Sequence, residues 1–227
     1  MTIDRDAAVE ITALRWVPAP AQGLVKDLRV RWALEEAGID YRVRLLSGDR
    51  PAEYAKDQAF NQVPCFSDGT VRIFESGAIL QYIGERSETL LPRDPEGKYR
   101  AIQWTYAAAT SIEPFVQFRA LLNGVFAAQD WAEPAKPTFD HFAQLRLGQL
   151  SNRLGDNQWL EGERFTIGDL MMVTVLRIAD RSGQLADFPN LTAFVRRGEA
   201  RPAFQRALAD QLAAYAANEP QAEGAAA

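Results

Sequence analysis

Two hydrophobic rhythms run along the chain, and one gives way to the other near residue 90. In the first part, apolar residues fall in short runs, Ile11 to Val17, Tyr41 to Leu46, Val63 to Phe66 and Val71 to Phe74. Bounded by Gly, Pro or Asp, such runs predict strands. Between the first two, Leu24, Leu28 and Trp32 recur at i, i+4 and i+8, which predicts a helix opening after Gln22-Gly23 and stopping at Gly38. Strand, helix and strand over this length make a βαβ unit with a parallel pair and a right-handed crossover. A short helix is expected from Pro51 to Lys56. The last two runs flank Ser67-Asp68-Gly69-Thr70, a tight-turn sequence, and predict an antiparallel hairpin. Directly after Glu75 and Ser76, Ala78, Ile79, Tyr82 and Ile83 mark one apolar face of a helix.

Past Leu91-Pro-Arg-Asp-Pro-Glu-Gly97 the spacing is helical. Tyr99 to Phe126 reads as one helix kinked at Pro114, and Pro137 to Leu154 as its antiparallel neighbour. Thr166 and Asp169 form the pattern of a capping box, with Phe165 and Leu170 as its staple. Met171 to Ala179 is apolar nearly all round, so this helix is expected to be a buried spine. Pro189 and Pro202 each sit in the first turn of a further helix. The expected division is an α/β domain at 1–88, a linker at 89–97, an all-helical bundle domain at 98–217 and a disordered tail at 218–227.

Composition narrows the chemistry. The net charge of −5 comes without a long basic run, which argues against nucleic acid as a main partner. One cysteine and one histidine exclude a disulfide framework within the chain and give too few ligands for a Cys/His zinc site, so no metal is expected. No stretch approaches the ~20 apolar residues of a membrane helix, and the polar, acidic start is unlike a signal peptide. No membrane partner is expected, and the expected location is cytoplasmic.

Candidate chemistry gathers around the hairpin. A helix starting just after an edge strand offers unpaired backbone N–H groups and its dipole to a carboxylate or phosphate. Ser76 adds a hydroxyl donor there, and Glu75 adds an anion that suits a ligand carrying an ammonium group as well. A plain helix cap would use the same two residues. Val63-Pro64 tips the balance: a proline inside a strand implies an edge position or a cis bond, which would turn the Val63 backbone outward to pair with an extended peptide.

The run from Asn61 to Tyr82 resembles the glutathione-binding half of the glutathione S-transferases, and the resemblance extends more loosely over most of the chain. It implies a thioredoxin-like N-terminal domain with a mixed four-stranded sheet, glutathione as cosubstrate, and a homodimer. Carried over by residue, Pro64 would be the cis proline and Val63 the backbone partner of the cysteinyl unit. Glu75 and Ser76 would hold the γ-glutamyl amino and carboxylate groups, and Gln62 would lie near the glycyl end. The chain departs from the family where a Tyr, Ser or Cys would activate the thiol: Trp16 to Leu28 contains none of these. Gln22 is the expected substitute, helped by the Gly23 and Leu24 N–H groups and by Lys26. Cys65, within an apolar strand, is expected in the core, and His141 lacks any partner for catalysis. An apolar electrophile would meet Trp16, Tyr106, Phe115 and Phe118. The expected activity is glutathione transfer to such a molecule, with a non-catalytic glutathione-binding module and a glutathione-dependent peroxidase or reductase as the alternatives.

Overall fold

The computed structural model describes residues 3–220, and the part of the expected tail from 221 to 227 lies outside the described residues. Strands β1 (Val9–Leu14), β2 (Tyr41–Leu46), β3 (Cys65–Ser67) and β4 (Arg72–Phe74) form one sheet in the order β2-β1-β3-β4. β1 and β2 run parallel with Val9 beside Tyr41, while β3 pairs antiparallel with both β1 and β4. The mixed sheet is therefore the one expected. The crossover helix α1 (Asp27–Ala37) ends on Gly38, whose φ of 64° supplies the left-handed cap that a side chain would resist. α2 (Ser76–Gly84) follows β4 without a loop.

The helical half comprises α3 (Pro95–Ala107), α4 (Glu113–Asn123), α5 (Ala132–Leu154), α6 (Ile167–Arg181), α7 (Pro189–Glu199) and α8 (Pro202–Ala217). α6 is the buried spine that its pattern predicts, with Leu170, Met172, Val173, Val175 and Leu176 all fully buried. Its capping box is complete: the Thr166 hydroxyl accepts from Gly168 N–H at 3.2 Å and Asp169 accepts from Thr166 N–H at 2.9 Å. Gly168 is needed because a Cβ there would lie 2.6 Å from Trp104 Cβ and 2.9 Å from the Ala101 carbonyl, so α3 and α6 touch backbone to side chain.

Several element limits differ from expectation. β1 stops at Leu14, before Pro18 and Pro20, which leaves Trp16 outside the sheet. α1 starts at Asp27 rather than after Gly23, because residues 19–21 form a 3-10 turn and Gly23 adopts φ 76°. α5 starts at Ala132 and carries Pro137 in its interior. The single helix expected from Tyr99 to Phe126 is broken by a π turn at Ala108–Ile112, immediately before Pro114.

Candidate ligand cleft between the sheet and the helices

The segment before β3 is held by a relay of side chains. Tyr54, on the short 3-10 turn Ala52–Lys56, is buried, and its hydroxyl donates to the Gln62 carbonyl at 2.8 Å. Having given its proton away, it accepts from the Thr12 hydroxyl at 2.7 Å, and Thr12 in turn accepts from Cys65 N–H at 2.7 Å. The Gln58 carboxamide oxygen takes the N–H groups of Phe60 and Gln62. Every donor in this chain has one acceptor, so residues 60–65 are fixed from both sides. The Val63–Pro64 bond within them is cis. β3 begins only at Cys65, so the backbone of Val63 lies before the strand pairing.

Glu75 has φ 68° and ψ 113°, a conformation that non-glycine residues avoid, and it is exposed. Strain of this kind costs roughly 1–3 kcal/mol and persists where the surroundings enforce it. It turns the chain abruptly from β4 into α2 and sets the Ser76 hydroxyl at the helix start. That hydroxyl accepts from Arg29 Nη1 at 3.1 Å.

Arg29 is 2% exposed and joins the two halves. Its Nη2 donates to Glu113 Oε1 at 2.9 Å, Nη1 also reaches Glu113 Oε2 at 3.3 Å, and Nε donates to the Thr174 hydroxyl at 3.1 Å. Lys26 Nζ lies 3.0 Å from the same Glu113 carboxylate. Burial by itself would raise the Glu113 carboxyl, but the charge and hydrogen bonds of Arg29, then of Lys26, outweigh it and hold the group below its usual range. The π turn ends immediately before Glu113.

A cleft of about 290 Å³ opens between these elements. Gln62 and Val63 line it from the sheet side with Leu24, Val25, Lys26 and Arg50, and Glu113, Gln117 and Ile178 line it from the helices. The structure therefore brings Gln62 and Val63 into one cleft with Lys26, while Ser76 adjoins through Arg29. The Gln22 side chain is elsewhere: its amide donates to the Val17 carbonyl at 3.1 Å and closes the turn. The Leu24 N–H is taken by the Ala21 carbonyl at 3.0 Å, so it is not an open helix-start donor. Two α6 arginines grip this loop from behind, Arg177 on the Gly23 carbonyl and Arg181 on the Gln22 carbonyl at 2.7 Å.

The expected aromatic wall is not assembled. Phe115 stacks on Phe142 at 5.4 Å and Phe118 on Phe139 at 5.3 Å, both against α5, while Tyr106 is 55% exposed. Trp16 is half-buried with its indole Nε1 unpartnered. None of the four lines the cleft. On α4, Glu113 and Gln117, four residues apart on one face, take the cleft side, while Phe115 and Phe118 turn to α5. Cys65 is 3% exposed, and burial followed by the Asp57 charge raises its thiol, so it is a core residue. His141 is exposed on α5 beside Phe142. Arg29, Glu113 and Thr12 escape sequence reading because each acts on a residue distant in the chain, and Tyr54 and Gln58 because they hold backbone groups of a nearby loop that carries no periodic pattern. The one signal that could have found any of them is the need of a buried arginine for acceptors, which bears on Arg29 and Glu113 alone.

The chain has relatives among known proteins. The family model described as the glutathione S-transferase N-terminal domain matches residues 23–85, and that of the C-terminal domain matches residues 141–202. The chain is 31% identical to glutathione S-transferase GstA of Escherichia coli O157:H7 over 189 residues, covering 77% of this chain and 89% of that protein. It is 26% identical to the disulfide-bond oxidoreductase YfcG of Escherichia coli K12, covering 77% of this chain and 86% of that one. Among solved structures, a glutathione transferase family member from Pseudomonas fluorescens with two glutathione bound superposes with a TM-score of 0.77 at 25% identity, covering 88% of this chain and 92% of that one. With its thioredoxin-like sheet, its helical half and the two matched domains, the chain belongs to the glutathione S-transferase family.

Proposed function

We propose that the protein binds glutathione along Val63, with the γ-glutamyl carboxylate at Ser76 and the start of α2, its ammonium at Glu75, and the glycyl end beside Gln62, and that the glutathione thiol, its proton lost to solvent, attacks an apolar electrophile through sulfur so that the intact tripeptide is joined to it. The observation that supports this reading is that Val63, beside its cis bond to Pro64, lines the same cleft as Glu113, whose carboxylate holds the Arg29 guanidinium that also donates to Ser76. Lys26 is the charge that favours the thiolate, since it is the half-exposed cation on the loop side of the cleft. Gln22 acts on the sulfur only through the shape of its loop. Titration calorimetry with glutathione, together with ultraviolet titration of the bound thiol, tests this. Lys26→Met returns a depressed thiol pKa toward the free value of about 8.5, and Gln22→Ala changes it less. Binding with an unshifted thiol would instead mark a non-catalytic module.

The lining itself favours a second reading. Lys26, Arg50, Gln62, Glu113 and Gln117 suit a polar, peptide-like second substrate better than an apolar one. One such reaction is reduction of a disulfide: a glutathione thiolate attacks one sulfur and releases the other as a thiol, and a second glutathione resolves the mixed disulfide to glutathione disulfide and the second thiol. The name of the YfcG relative and the two glutathione molecules of the Pseudomonas neighbour support it. Assay with 1-chloro-2,4-dinitrobenzene against 2-hydroxyethyl disulfide separates the two chemistries, and turnover of the first alone would refute the reductase reading.

Self-association belongs to the same proposal. Phe60 is 67% exposed beside Phe74, and the helical half offers a hollow of about 150 Å³ whose apolar walls are Trp104, Ala107, Ile112 and Leu150, with Ser111, Arg146, Gln149 and Arg153 completing its lining. A knob and a hole on one chain allow a two-fold pair that satisfies both twice. Sedimentation of Phe60→Ser against the unchanged chain checks it. We place the dimer in the cytoplasm, with 1–88 and 98–217 as its two domains.

A further inference from the structure

We propose that Arg29 is a positioning residue for the ligand carboxylate and that it acts through Ser76, an inference that rests on the glutathione reading above. A guanidinium can only donate hydrogen bonds. The Ser76 oxygen, 3.1 Å from Arg29 Nη1, is therefore an acceptor on that side, and its own proton is left to point to another acceptor. A carboxylate at the start of α2 is such an acceptor, and the backbone N–H groups there are further donors to it.

The orientation of Arg29 is fixed on every side. Both Glu113 oxygens and the Thr174 hydroxyl hold its planar fork, and Thr174 donates onward to the Met171 carbonyl at 2.8 Å. The halves of the molecule thus jointly define where the Ser76 proton can go. Charge acts in the same direction. Lys26 and Arg29 face the single carboxylate of Glu113, so the cluster behind Ser76 keeps one positive charge in excess. Lysine at position 29 would keep the charge and lose the fork, since an ammonium cannot present parallel donors to Glu113 while reaching Ser76 and Thr174.

The test compares two ligands on the full chain: glutathione, and γ-aminobutyryl-cysteinylglycine, which is glutathione without the α-carboxylate of its glutamyl unit. Arg29→Lys is expected to weaken glutathione about 10- to 100-fold, the range for loss of a hydrogen bond to a charged group. It leaves the affinity of the analogue within about two-fold, inside the spread of surface-level effects. Thr174→Val, nearly isosteric, removes only the Nε acceptor and shows the same selective loss on a smaller scale. It carries the comparison if Arg29→Lys does not fold. Equal losses for both ligands, or none for glutathione, would overturn the assignment and leave Arg29 a structural bridge alone. If the unchanged chain binds the analogue as well as it binds glutathione, the carboxylate has no seat and the assignment also fails. Failure of the unchanged chain to bind glutathione at all removes the glutathione reading first and this inference with it.

Discussion

Glu75 shows how a single residue can be held against its own preference. At φ 68° and ψ 113° only glycine is comfortable, yet the chain places there an exposed acid with no stabilising role in the core. Glu75→Gly is expected to leave the thermal midpoint unchanged or raise it by about 2–4 °C, the shift that ~1 kcal/mol gives in a chain of this size, because relief of strain offsets the added flexibility of the unfolded chain. The same substitution lowers glutathione affinity about tenfold through loss of one charge-assisted contact, and calorimetry on the folded variant reads it. Glu113 gives a pH dependence of defined sign. Its folded carboxyl lies below the ordinary value of 4.5, so it contributes stability above that value and loses the contribution as pH falls through the folded pKa. Urea midpoints recorded from pH 6 downward should drop less steeply in Glu113→Gln than in the unchanged protein.

At the scale of elements, α6 carries an opposite pH term. Burial lifts the Asp169 carboxyl to about 6 against the hydrogen bonds from Leu160 and Thr166. A carboxyl that holds its proton more tightly when folded makes the fold most stable below the ordinary value of 3.8, and stability falls as pH rises from there through about 6. Asp169→Asn removes this slope, while Thr166→Ala costs about 1 kcal/mol at all pH values through the lost cap. The capping box was legible because Thr166, Asp169 and the apolar run after them sit within one helical turn. The hairpin was legible for the same reason, with Asp68-Gly69 between two short runs. The π turn was not: Ala108, Ala109, Thr110 and Ser111 are small and carry little periodicity, so an extra residue leaves no trace in the pattern. Its effect is nonetheless large, since one residue gained or lost in a regular turn ahead of Glu113 would rotate it by about 100° relative to Arg29. Insertion of one alanine between Ile112 and Glu113 is expected to rotate Glu113 by about 100° and turn it away from Arg29, whereas deletion of Thr110, the extra residue of the π turn, leaves it in place. Losing one partner of a buried ion pair costs about 3–5 kcal/mol, which denaturant unfolding measures.

Across the whole molecule, the sequence outlined the two halves but concealed what joins them. Arg29 and Glu113 stand 84 positions apart, and Arg177 and Gly23 stand 154 apart. No local pattern links such pairs, and each is explained only once the halves are packed, when a buried arginine must find acceptors. The start of α1 was misplaced for a related reason. Gly23, read as part of a helix start, is a turn residue pressed against α8 and α6, where a Cβ would meet Leu208 at 3.1 Å and Arg177 Nη2 at 3.5 Å. The grip of α6 on this loop has a consequence for the cleft opening. With the Gln22 and Gly23 carbonyls tied to α6 guanidinium groups, a slip of that helix is expected to draw Leu24 and Val25 with it relative to Val63. The gap through which a sulfur must pass is thus set by a helix that contributes only Ile178 to its walls, and substitutions deep in the helical half would be felt first as a change in what fits between the loop and the sheet.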